Sequence, residues 1–565
     1  MKYFIILSLA MLLSIQQVES QVQIRDTLVE WSHFAYELTS EKSIADYSTT
    51  EIEQITFDGI VIENSLIKLT LIPEFGGRII SYIYKPTGHE QLYQNPNGIP
   101  YAINQGTFYY RWLMVYGGIF ATFPEPEHGK TWLQPWNYSL VNQSSDSISI
   151  QMSLKDTIDF SRHDGRFNNG VTGLECTVTV SVYRNKSSFD MEVSLSNPSN
   201  DDINYEYWTC TTLAPGSDPA NPKATSEAEM IVPVELVKLK DDWWSWMSNS
   251  ETAYNAGEHL FYYDNLAHLK NWEDMGIAYA YPSVSENYWG VINHGNEEGI
   301  LRIADNMNKT PGMKFWTWGN EQGQNAEPYT FSNGGVGPYI ELWAGHSNEF
   351  FKDAHIQSNE TITWTESYLP TVGLPAITAA NKNAAAYITY TPDYENSEHV
   401  FQVQLFTTLP YENTMLTYDL GGVSPQNILQ GSISHNPDEP YKRQISVPAN
   451  EIEAGTGSLQ LNLEDEIGNQ LLSANKEIEL ANLTTIKDNP ALNNMNLDVW
   501  KQHVTVTMKM QDSYLLSIYD LNAQLVDKFT FNGNKKTFQL RPGKMYIIHI
   551  ISNRYTDYRK VFIGY

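Results

Sequence analysis

The sequence predicts an all-β protein, and three features of the chain support this. Stretches of alternating apolar and polar residues recur along it, as is typical of half-buried strands. Gly, Asn, Asp and Pro separate these stretches, as expected for turns. Aromatic residues make up 13% of the 565 residues, and aromatic side chains favour pleated surfaces. Helical periodicity is scarce, so strands should dominate.

The alternating stretches define the expected elements in chain order. Residues 60–72 are predicted to form a hairpin that turns near Asn64, and residues 76–84 the next strand. One short helix is predicted at residues 40–47. Further strands are predicted at residues 147–154, 174–183, 189–195, 387–390, 399–407 and 458–463.

A chain of 565 residues is too long for one simple core. We expect a main β domain at residues 21–375, with its end marked by Pro370 and Pro375. A smaller β-sandwich-like domain follows at residues 376–485. A C-terminal β module occupies residues 486–565, after a polar, Asn-rich linker.

Residues 1–20 have the pattern of a secretory signal peptide. Lys2 precedes an apolar run at residues 4–15, and Ser20 supplies the small residue expected at a cleavage site. The apolar run is too short to span a bilayer, and no other segment approaches about 18 apolar residues. The sequence therefore predicts a secreted or surface-attached protein without a transmembrane segment.

Charge and cysteine content exclude several classes of function. A net charge of −30 disfavours nucleic acid as a partner. Two cysteines, Cys176 and Cys210, are too few for a disulfide scaffold, and they could either pair or remain buried thiols. Metal-ligand motifs and a phosphate-binding loop are missing from the sequence, so neither a metal nor a cofactor is predicted.

Several motifs in order along the chain carry a resemblance to a known family. They begin with PEFGGRIISYIY at residues 73–84 and continue with YGGI at 116–119, WGVINHGNEEGILRIAD at 289–305, PGMKFWTWG at 311–319 and GPYIELWAG at 337–345. This set resembles the galactose-mutarotase-like proteins. It is most similar to a bacterial family catalogued as a domain of unknown function, often found beside tetratricopeptide repeats, which are absent here. The resemblance implies a β-supersandwich and a carbohydrate ligand.

The C-terminal module resembles a second family. LLSIYDLNAQL at residues 515–525, TFQLRPGKMY at 537–546 and KVFI at 560–563 are similar to the sorting domain of the type IX secretion system. That resemblance implies a Bacteroidetes-type envelope, export through the outer membrane and the type IX machinery as a partner.

The mutarotase resemblance implies a carboxylate at Glu341 as a general acid or base. Because strand side chains alternate, Tyr339, Glu341 and Trp343 should share one face, opposite Ile340 and Leu342. The resemblance also places a catalytic histidine in a strand that corresponds to YEYWTCTT at residues 205–212, which contains none. His128 and His294 are the candidate substitutes, ahead of His163 and His346.

Basic residues near these motifs indicate a different reaction. Elimination from a uronic acid needs a cation to neutralise the carboxylate, a base and an acid. Arg78, Arg162 and Lys314 could bind such a carboxylate. Trp316 and Trp318 alternate onto one face of a strand, and Trp318 is expected to pack beside the site. The predicted substrate-binding residues are Arg78, Tyr339, Trp343, Trp318, Arg162 and Lys314.

Three hypotheses about function remain open at this point. The first is a secreted carbohydrate-active enzyme that processes oligosaccharides by elimination or epimerisation, with uronate-containing algal glycans such as ulvan as candidate substrates. Hydrolysis is a variant that needs two carboxylates about 5–10 Å apart. The second is a non-catalytic sugar-binding protein of a glycan-utilisation system. The third is a structural surface protein whose groove is filled by its own loops.

Overall fold

The computed structural model describes residues 21–563 with the exception of several segments. These exceptions are residues 41–43, 101–113, 126–127, 160–169, 240–252, 265, 274, 321–336, 395, 422–426, 453, 482, 484–494, 501, 522–523 and 553–555. The predicted signal peptide at residues 1–20 lies outside the described residues, as does Arg162.

The first 380 residues contain two-thirds of the strands that the structure describes. The strands are β1 (Gln23–Leu38), β2 (Ile44–Glu63), β3 (Ile67–Ile72), β4 (Arg78–Tyr84), β5 (His89–Leu92), β6 (Gln94–Pro100), β7 (Met114–Gly117), β8 (Ile119–Thr122), β9 (Asn137–Gln143), β10 (Ser147–Lys155), β11 (Glu175–Tyr183), β12 (Phe189–Ser196), β13 (Ile203–Tyr205), β14 (Trp208–Ser217), β15 (Ala228–Ile231), β16 (Leu236–Leu239), β17 (Ala253–Asn255), β18 (Leu260–Tyr262), β19 (Gly276–Tyr281), β20 (Tyr288–Asn293), β21 (Glu298–Ile303), β22 (Gly312–Thr317), β23 (Ile340–Gly345), β24 (Ala354–Ile356), β25 (Thr361–Val372) and β26 (Ala379–Ala380). Two single-turn 3-10 helices, Ala256–Glu258 and Leu269–Asn271, are the helical elements within the described residues.

Two large sheets contain 23 of these 26 strands, while β13 and β24 pair with each other in a separate two-stranded sheet. Within the described residues, the larger has 15 strands in the order β17-β18-β16-β19-β22-β23-β14-β5-β4-β3-β2-β1-β6-β7, with β8 paired to both β14 and β4. The smaller has eight strands in the order β15-β20-β21-β25-β12-β11-β10-β9. The paired strands of the smaller sheet run antiparallel. The prediction of an all-β fold built as a large sandwich is confirmed.

A shared apolar core joins the two sheets. In β11, exposure alternates so that Cys176, Val178, Val180 and Val182 are buried, as the sequence pattern predicts. These side chains belong to one buried cluster with Leu69 and other residues of the large sheet. Each large sheet thus buries one face against the other sheet.

The opposite face of the large sheet is also covered, mainly by aromatic side chains. This second cluster includes Trp31, Phe57, Phe75, Ile80, Tyr116, Phe120, Trp132, Trp208, Cys210, Tyr279, Trp343 and Phe350. We call it the aromatic face. Because β14, β22 and β23 contribute alternate residues to the two clusters, every second side chain of these strands reaches the aromatic face.

Two local predictions had opposite outcomes. The predicted hairpin at residues 60–72 is confirmed, since β2 and β3 pair antiparallel across a turn at Asn64, whose side-chain oxygen accepts the backbone N–H of Leu66 and Ile67. The predicted helix at residues 40–47 is wrong, because β2 begins at Ile44 and pairs with β1. A helix this short is marginal by itself, and the pairing supplies its residues with cross-strand hydrogen bonds.

The remaining strands form smaller sheets. They are β27 (Ala384–Asp393), β28 (Glu398–Thr407), β29 (Tyr411–Gly421), β30 (Asn427–His435), β31 (Tyr441–Pro448), β32 (Gly455–Glu464), β33 (Gln470–Leu480), β34 (Met495–Trp500), β35 (His503–Tyr519), β36 (Leu525–Gln539), β37 (Lys544–Ile551) and β38 (Thr556–Ile563). In the described part of the chain, β26-β27-β28-β31 and β30-β29-β32-β33 form two four-stranded sheets, and β34–β38 form a five-stranded sheet.

The chain divides into two compact units. One comprises residues 1–391, 400–446 and 456–479, and the other residues 392–399, 447–455 and 480–565. The five-stranded sheet of the second unit has its own core, which includes Val504, Leu516 and Ile548. The domain boundaries expected at residues 375 and 485 stay predictions.

Two further sequence questions concern cysteines and membrane spans. Cys176 and Cys210 are buried free thiols rather than a disulfide. Among the described residues, no helix has the length and apolar character needed to cross a membrane.

Candidate functional site

The candidate site is built on one row of side chains that crosses five strands. Strand register places Phe120 beside Cys210, Cys210 beside Trp343, Trp343 beside Lys314, and Lys314 beside Tyr279. Directly paired residues point to the same side of a sheet. The row therefore lies across the aromatic face, with Lys314 as its cation.

Glu341 lies next to this row, two residues before Trp343 on β23. The Tyr339 hydroxyl donates to its Oε1 at 2.5 Å and the Trp343 indole Nε1 donates to its Oε2 at 2.6 Å. Lys314 Nζ lies 3.9 Å from the same Oε2. Burial raises the pKa of Glu341, while the Lys314 charge and the two donors act in the opposite direction. The carboxyl group is thus fixed in orientation and easier to protonate than an exposed glutamate.

Lys314 sits among aromatic rings as well as beside a carboxylate. Its Nζ lies 3.9 Å from the centre of the Trp343 ring and 4.4 Å from that of Phe350. The distance from Nζ to the centre of the Trp316 ring is 5.6 Å. The negative faces of aromatic rings attract a desolvated ammonium group, so this position favours a localised positive charge.

The imidazole ring of His128 packs against the aromatic face. Its ring centre lies 4.6 Å from that of Trp132 and 5.4 Å from that of Trp343, both in edge-to-face contact. Burial lowers the pKa of His128 well below its usual value, and the Lys314 charge lowers it further. The imidazole is therefore neutral at pH 7 and able to accept a proton.

Arg78 extends the positive charge of this face. Its side chain is fully buried, and Nη1 donates to the Gly117 carbonyl at 2.7 Å. Its guanidinium lies 4.2 Å from the Phe120 ring centre and 5.2 Å from that of Trp132. Among the described residues, its Nε and Nη2 have no hydrogen-bond partner. Burial lowers the pKa of Arg78 to about 10, so the group stays charged at neutral pH.

Gly117 shows why the glycine pair of the motif at 116–119 is needed. Its φ is +112°, and a Cβ there would lie 2.1 Å from the Tyr93 carbonyl oxygen. Only glycine accepts both the backbone angle and this close approach. The backbone carbonyl that holds Arg78 is positioned in this way.

The structure brings most predicted site residues together. Glu341, Tyr339, Trp343 and Lys314 are in contact as described, and His128 and Arg78 pack on rings of the same face. Trp318 packs beside Tyr339, with ring centres 5.9 Å apart. The roles assigned to these residues stay predictions.

His294 lies elsewhere. It follows β20 near the edge of the smaller sheet, where its Nε2 is 2.6 Å from Glu229 Oε2. In the described structure the side chain of His294 contacts Glu229 and His268, and not Glu341. Its neighbourhood is therefore separate from the aromatic face.

Sequence reasoning missed several contributors to this face, among them Trp132, Cys210 and Phe350. Register pairs Thr212 with Glu341 and Cys210 with Trp343, so β14 presents Trp208, Cys210 and Thr212 beside the carboxylate strand. Alternation within residues 205–212 could have identified this set. Burial raises the pKa of the Cys210 thiol, which stays protonated.

A cavity of about 360 Å³ lies on the large sheet and shares Trp31 and Ile80 with the aromatic face. It is lined by residues of β1 to β6 and by Pro219, and the lining includes Arg25, Lys68 and Glu90. Glu341, Lys314 and His128 are not among its lining residues. The candidate site is accordingly a packed face and not this cavity.

Several solved structures are similar to this chain. One similar structure is a TPR-domain containing protein from Parabacteroides distasonis ATCC 8503, with 17% identity over 64% of this chain and a TM-score of 0.47; the chain spans 58% of that protein. Another is a galactose mutarotase-like protein from Clostridium acetobutylicum, with 10% identity, a TM-score of 0.40 and coverage of 62% of this chain and 99% of that one. A third is a putative aldose 1-epimerase from Klebsiella pneumoniae subsp. pneumoniae MGH 78578, with 12% identity, a TM-score of 0.39 and coverage of 62% and 91%.

A family match gives the assignment. The family described as "Domain of unknown function (DUF5107)" matches residues 40–371, which is more than half of the chain and includes all of β2 to β24 together with the candidate site. The chain belongs to the DUF5107 family.

Proposed function

We propose that this protein acts on oligosaccharides by proton transfer, preferably by elimination from uronate-containing sugars, with epimerisation as the related outcome. The observation that carries the proposal is the convergence of Glu341, Lys314 and His128 around the Trp343 ring. A carboxyl group with a raised pKa and a neutral imidazole with a lowered pKa supply an acid and a base on the same face.

The residues divide naturally among the roles of an elimination. Neutral His128 takes the proton on the carbon next to the substrate carboxylate, while Lys314 offsets the negative charge that develops there. Glu341 in its protonated form donates to the leaving glycosidic or hydroxyl oxygen. One C–H and one C–O bond break, and a C=C bond forms. Arg78, whose Nε and Nη2 have no hydrogen-bond partner in the described part of the chain, adds positive charge to the same face.

The aromatic rings support a sugar as the ligand. Trp132 and Trp343 flank His128, and Tyr339 and Trp343 hold Glu341. Aromatic rings offer a large apolar area together with polar edges, a combination that suits the apolar faces and hydroxyls of a pyranose. Ulvan-type algal glycans remain the candidate source of a uronate substrate.

The proposed location is outside the cytoplasm, with export across the outer membrane. The pattern at residues 1–20 and the motifs at residues 515–525, 537–546 and 560–563 support it. The partner would be the type IX secretion machinery. Fusion of residues 486–565 to a periplasmic reporter tests this: the reporter should reach the cell surface only in a host with that system.

A non-catalytic sugar-binding protein is the second candidate, and a specific observation favours it. Both oxygens of Glu341 already accept hydrogen bonds, and β14 presents Trp208, Cys210 and Thr212 where the resemblance implied a histidine. A site of this kind would retain sugar through its rings and polar edges without transferring a proton.

The test uses a panel of neutral and uronate-containing oligosaccharides with the full chain. Elimination produces the ultraviolet absorbance of a new C=C bond, and product masses show cleavage without added water or the loss of one water. Glu341→Gln and His128→Gln should each reduce the rate by about 10²–10⁴-fold, the usual contribution of an acid or base. His355→Gln, at a half-exposed histidine paired with Asp202, is the matched control.

Each other outcome points to a different function. Cleavage with a gain of water means hydrolysis and overturns the elimination proposal. Binding without chemical change supports the binding protein. Neither binding nor change would leave the aromatic face as structural packing only, consistent with side-chain exposures of 3% for Lys314 and 7% for Glu341.

A further inference from the structure

Three potential metal ligands meet near the edge of the smaller sheet, outside the candidate site. Glu229, His268 and His294 place one ligand atom each within 4.8 Å of one another. His294 Nε2 and Glu229 Oε2 are 2.6 Å apart, and the two imidazole ring centres are 6.3 Å apart. We propose that these residues bind one divalent transition-metal ion of the Zn²⁺ type.

The backbone holds the three ligands in place before any ion arrives. Glu229 lies on β15, which pairs with β20 just before His294. His268 is joined to Glu229 by an isolated β-bridge. Next to this bridge, the Met230 N–H donates a hydrogen bond to the Ala267 carbonyl at 2.7 Å. Binding therefore requires only small side-chain movements, which keeps the entropic cost low.

Hydrogen bonds also hold the turn that carries His294 in place. The His294 N–H donates to the Glu227 carbonyl at 3.1 Å. The Asn293 side chain accepts the Gly295 N–H and donates to the Pro215 carbonyl, at 3.0 and 3.2 Å. All three ligand segments are thus tied to each other or to neighbouring strands.

The donor set selects the class of ion. Two imidazoles and one carboxylate suit Zn²⁺ and related borderline ions, whereas Ca²⁺ and Mg²⁺ prefer oxygen ligands throughout. With bonds of about 2.0–2.2 Å, tetrahedral ligand atoms lie roughly 3.3–3.5 Å apart, a separation that these atoms reach by small shifts. The His294 and Glu229 side chains are 30% and 24% exposed, so an ion can enter from solvent and keep a water as fourth ligand.

The ion would link the edge strand β15 to two neighbouring segments. These are the turn after β20 and the chain before the Leu269–Asn271 helix. Its effect is to stabilise this edge of the sandwich. Because the ligands are separate from Glu341, Lys314 and His128, this inference does not depend on the proposed function.

Equilibrium dialysis of the full chain against ZnCl₂, without a histidine tag, tests the site. Metal analysis and calorimetry should show one tightly bound Zn²⁺ per chain, with CaCl₂ giving none at this site. His268→Ala and Glu229→Gln should each weaken Zn²⁺ binding about tenfold or more. Added Zn²⁺ should also raise the unfolding temperature of the wild-type protein, and much less that of His268→Ala.

The matched control is His89→Gln. His89 Nδ1 lies 2.6 Å from Glu298 Oε1, the same separation as in the His294–Glu229 pair, but this pair is not part of a three-ligand group among the described residues. The control should bind Zn²⁺ like the wild type. The proposal is overturned if the wild type retains no Zn²⁺, or if His268→Ala retains as much; either result would leave His294 and Glu229 as an ordinary hydrogen-bonded pair.

Discussion

Replacing Trp343 with phenylalanine tests whether the indole N–H controls the charge of Glu341. The substitution keeps a ring beside Lys314 and removes the donor that lies 2.6 Å from Glu341 Oε2. A hydrogen bond to a charged group contributes about 1.5–3 kcal/mol to stability, so Trp343→Phe should lower the free energy of unfolding by about this amount where Glu341 is ionised. The pKa of Glu341 should rise further, because its ionised form loses a donor.

The pH dependence follows from the sign of that change. The pKa of Glu341 is raised in the folded protein, so stability falls as the pH rises from the ordinary glutamate value through the folded one. In Trp343→Phe this fall should extend to higher pH. The variant should therefore lose more stability relative to wild type at about pH 8 than at about pH 4, where the carboxyl group is largely protonated in both the folded and the unfolded state.

Chemical denaturation at both pH values, followed by circular dichroism, measures the difference. Trp289→Phe is the control for lost ring volume, since that buried indole lies 4.9 Å from the Arg302 guanidinium and not on a carboxylate with a raised pKa. Its cost should be the same at both pH values. Equal losses for Trp343→Phe at pH 4 and pH 8 would refute the assigned electrostatic role of the indole.

Two further predictions concern stability alone. Glu366 and Arg302 form a fully buried ion pair at 2.6 Å, so Glu366→Ala should cost about 3–5 kcal/mol in urea unfolding, and Arg302→Met with Glu366→Leu together should cost less than that single change. Burial is the largest single effect on Glu366 and opposes its ionisation, but the Arg302 charge and the hydrogen bonds from Arg302, Trp364 and Thr209 together lower the pKa. This stabilisation should therefore be present above the ordinary glutamate pKa and lost as pH falls through the folded value, and an acid titration that leaves the Glu366→Ala difference unchanged would contradict it. Gly345→Ala would place a Cβ 2.4 Å from the Trp208 ring and should lower the free energy of unfolding by about 1–3 kcal/mol. In the same urea unfolding experiment, Gly257→Ala should be close to neutral, because its Cβ would have Asn255 Oδ1 at 3.6 Å as its nearest contact.

The alternation of side chains along a strand made the arrangement of neighbouring site residues on one strand predictable. A strand has a period of two, so the spacing of Tyr339, Glu341 and Trp343 was enough to place them together, and their hydrogen bonds agree. The same rule gave the hairpin at Asn64 and the buried face of β11. The helix predicted at residues 40–47 is wrong, because pairing with β1 and not local preference decided the conformation.

Long-range pairing decided what lies around Glu341. Cys210 is 133 positions before Trp343 and Lys314 is 29 before it, yet register sets them side by side. His128 and His294 were equivalent candidates in the sequence, and only the tertiary structure separates them, the first beside Trp343 and the second beside Glu229.

The sequence by itself determined the class of the fold, the faces of its strands and the candidate carboxylate, because these depend on local periodicity and on motifs contiguous in the chain. The tertiary structure decided which charges meet. Strand order and register join segments that are distant in sequence, and a single sequence contains no local signal for such pairing. The environment of Lys314 among aromatic rings and the three-ligand group at His294 are both consequences of that pairing.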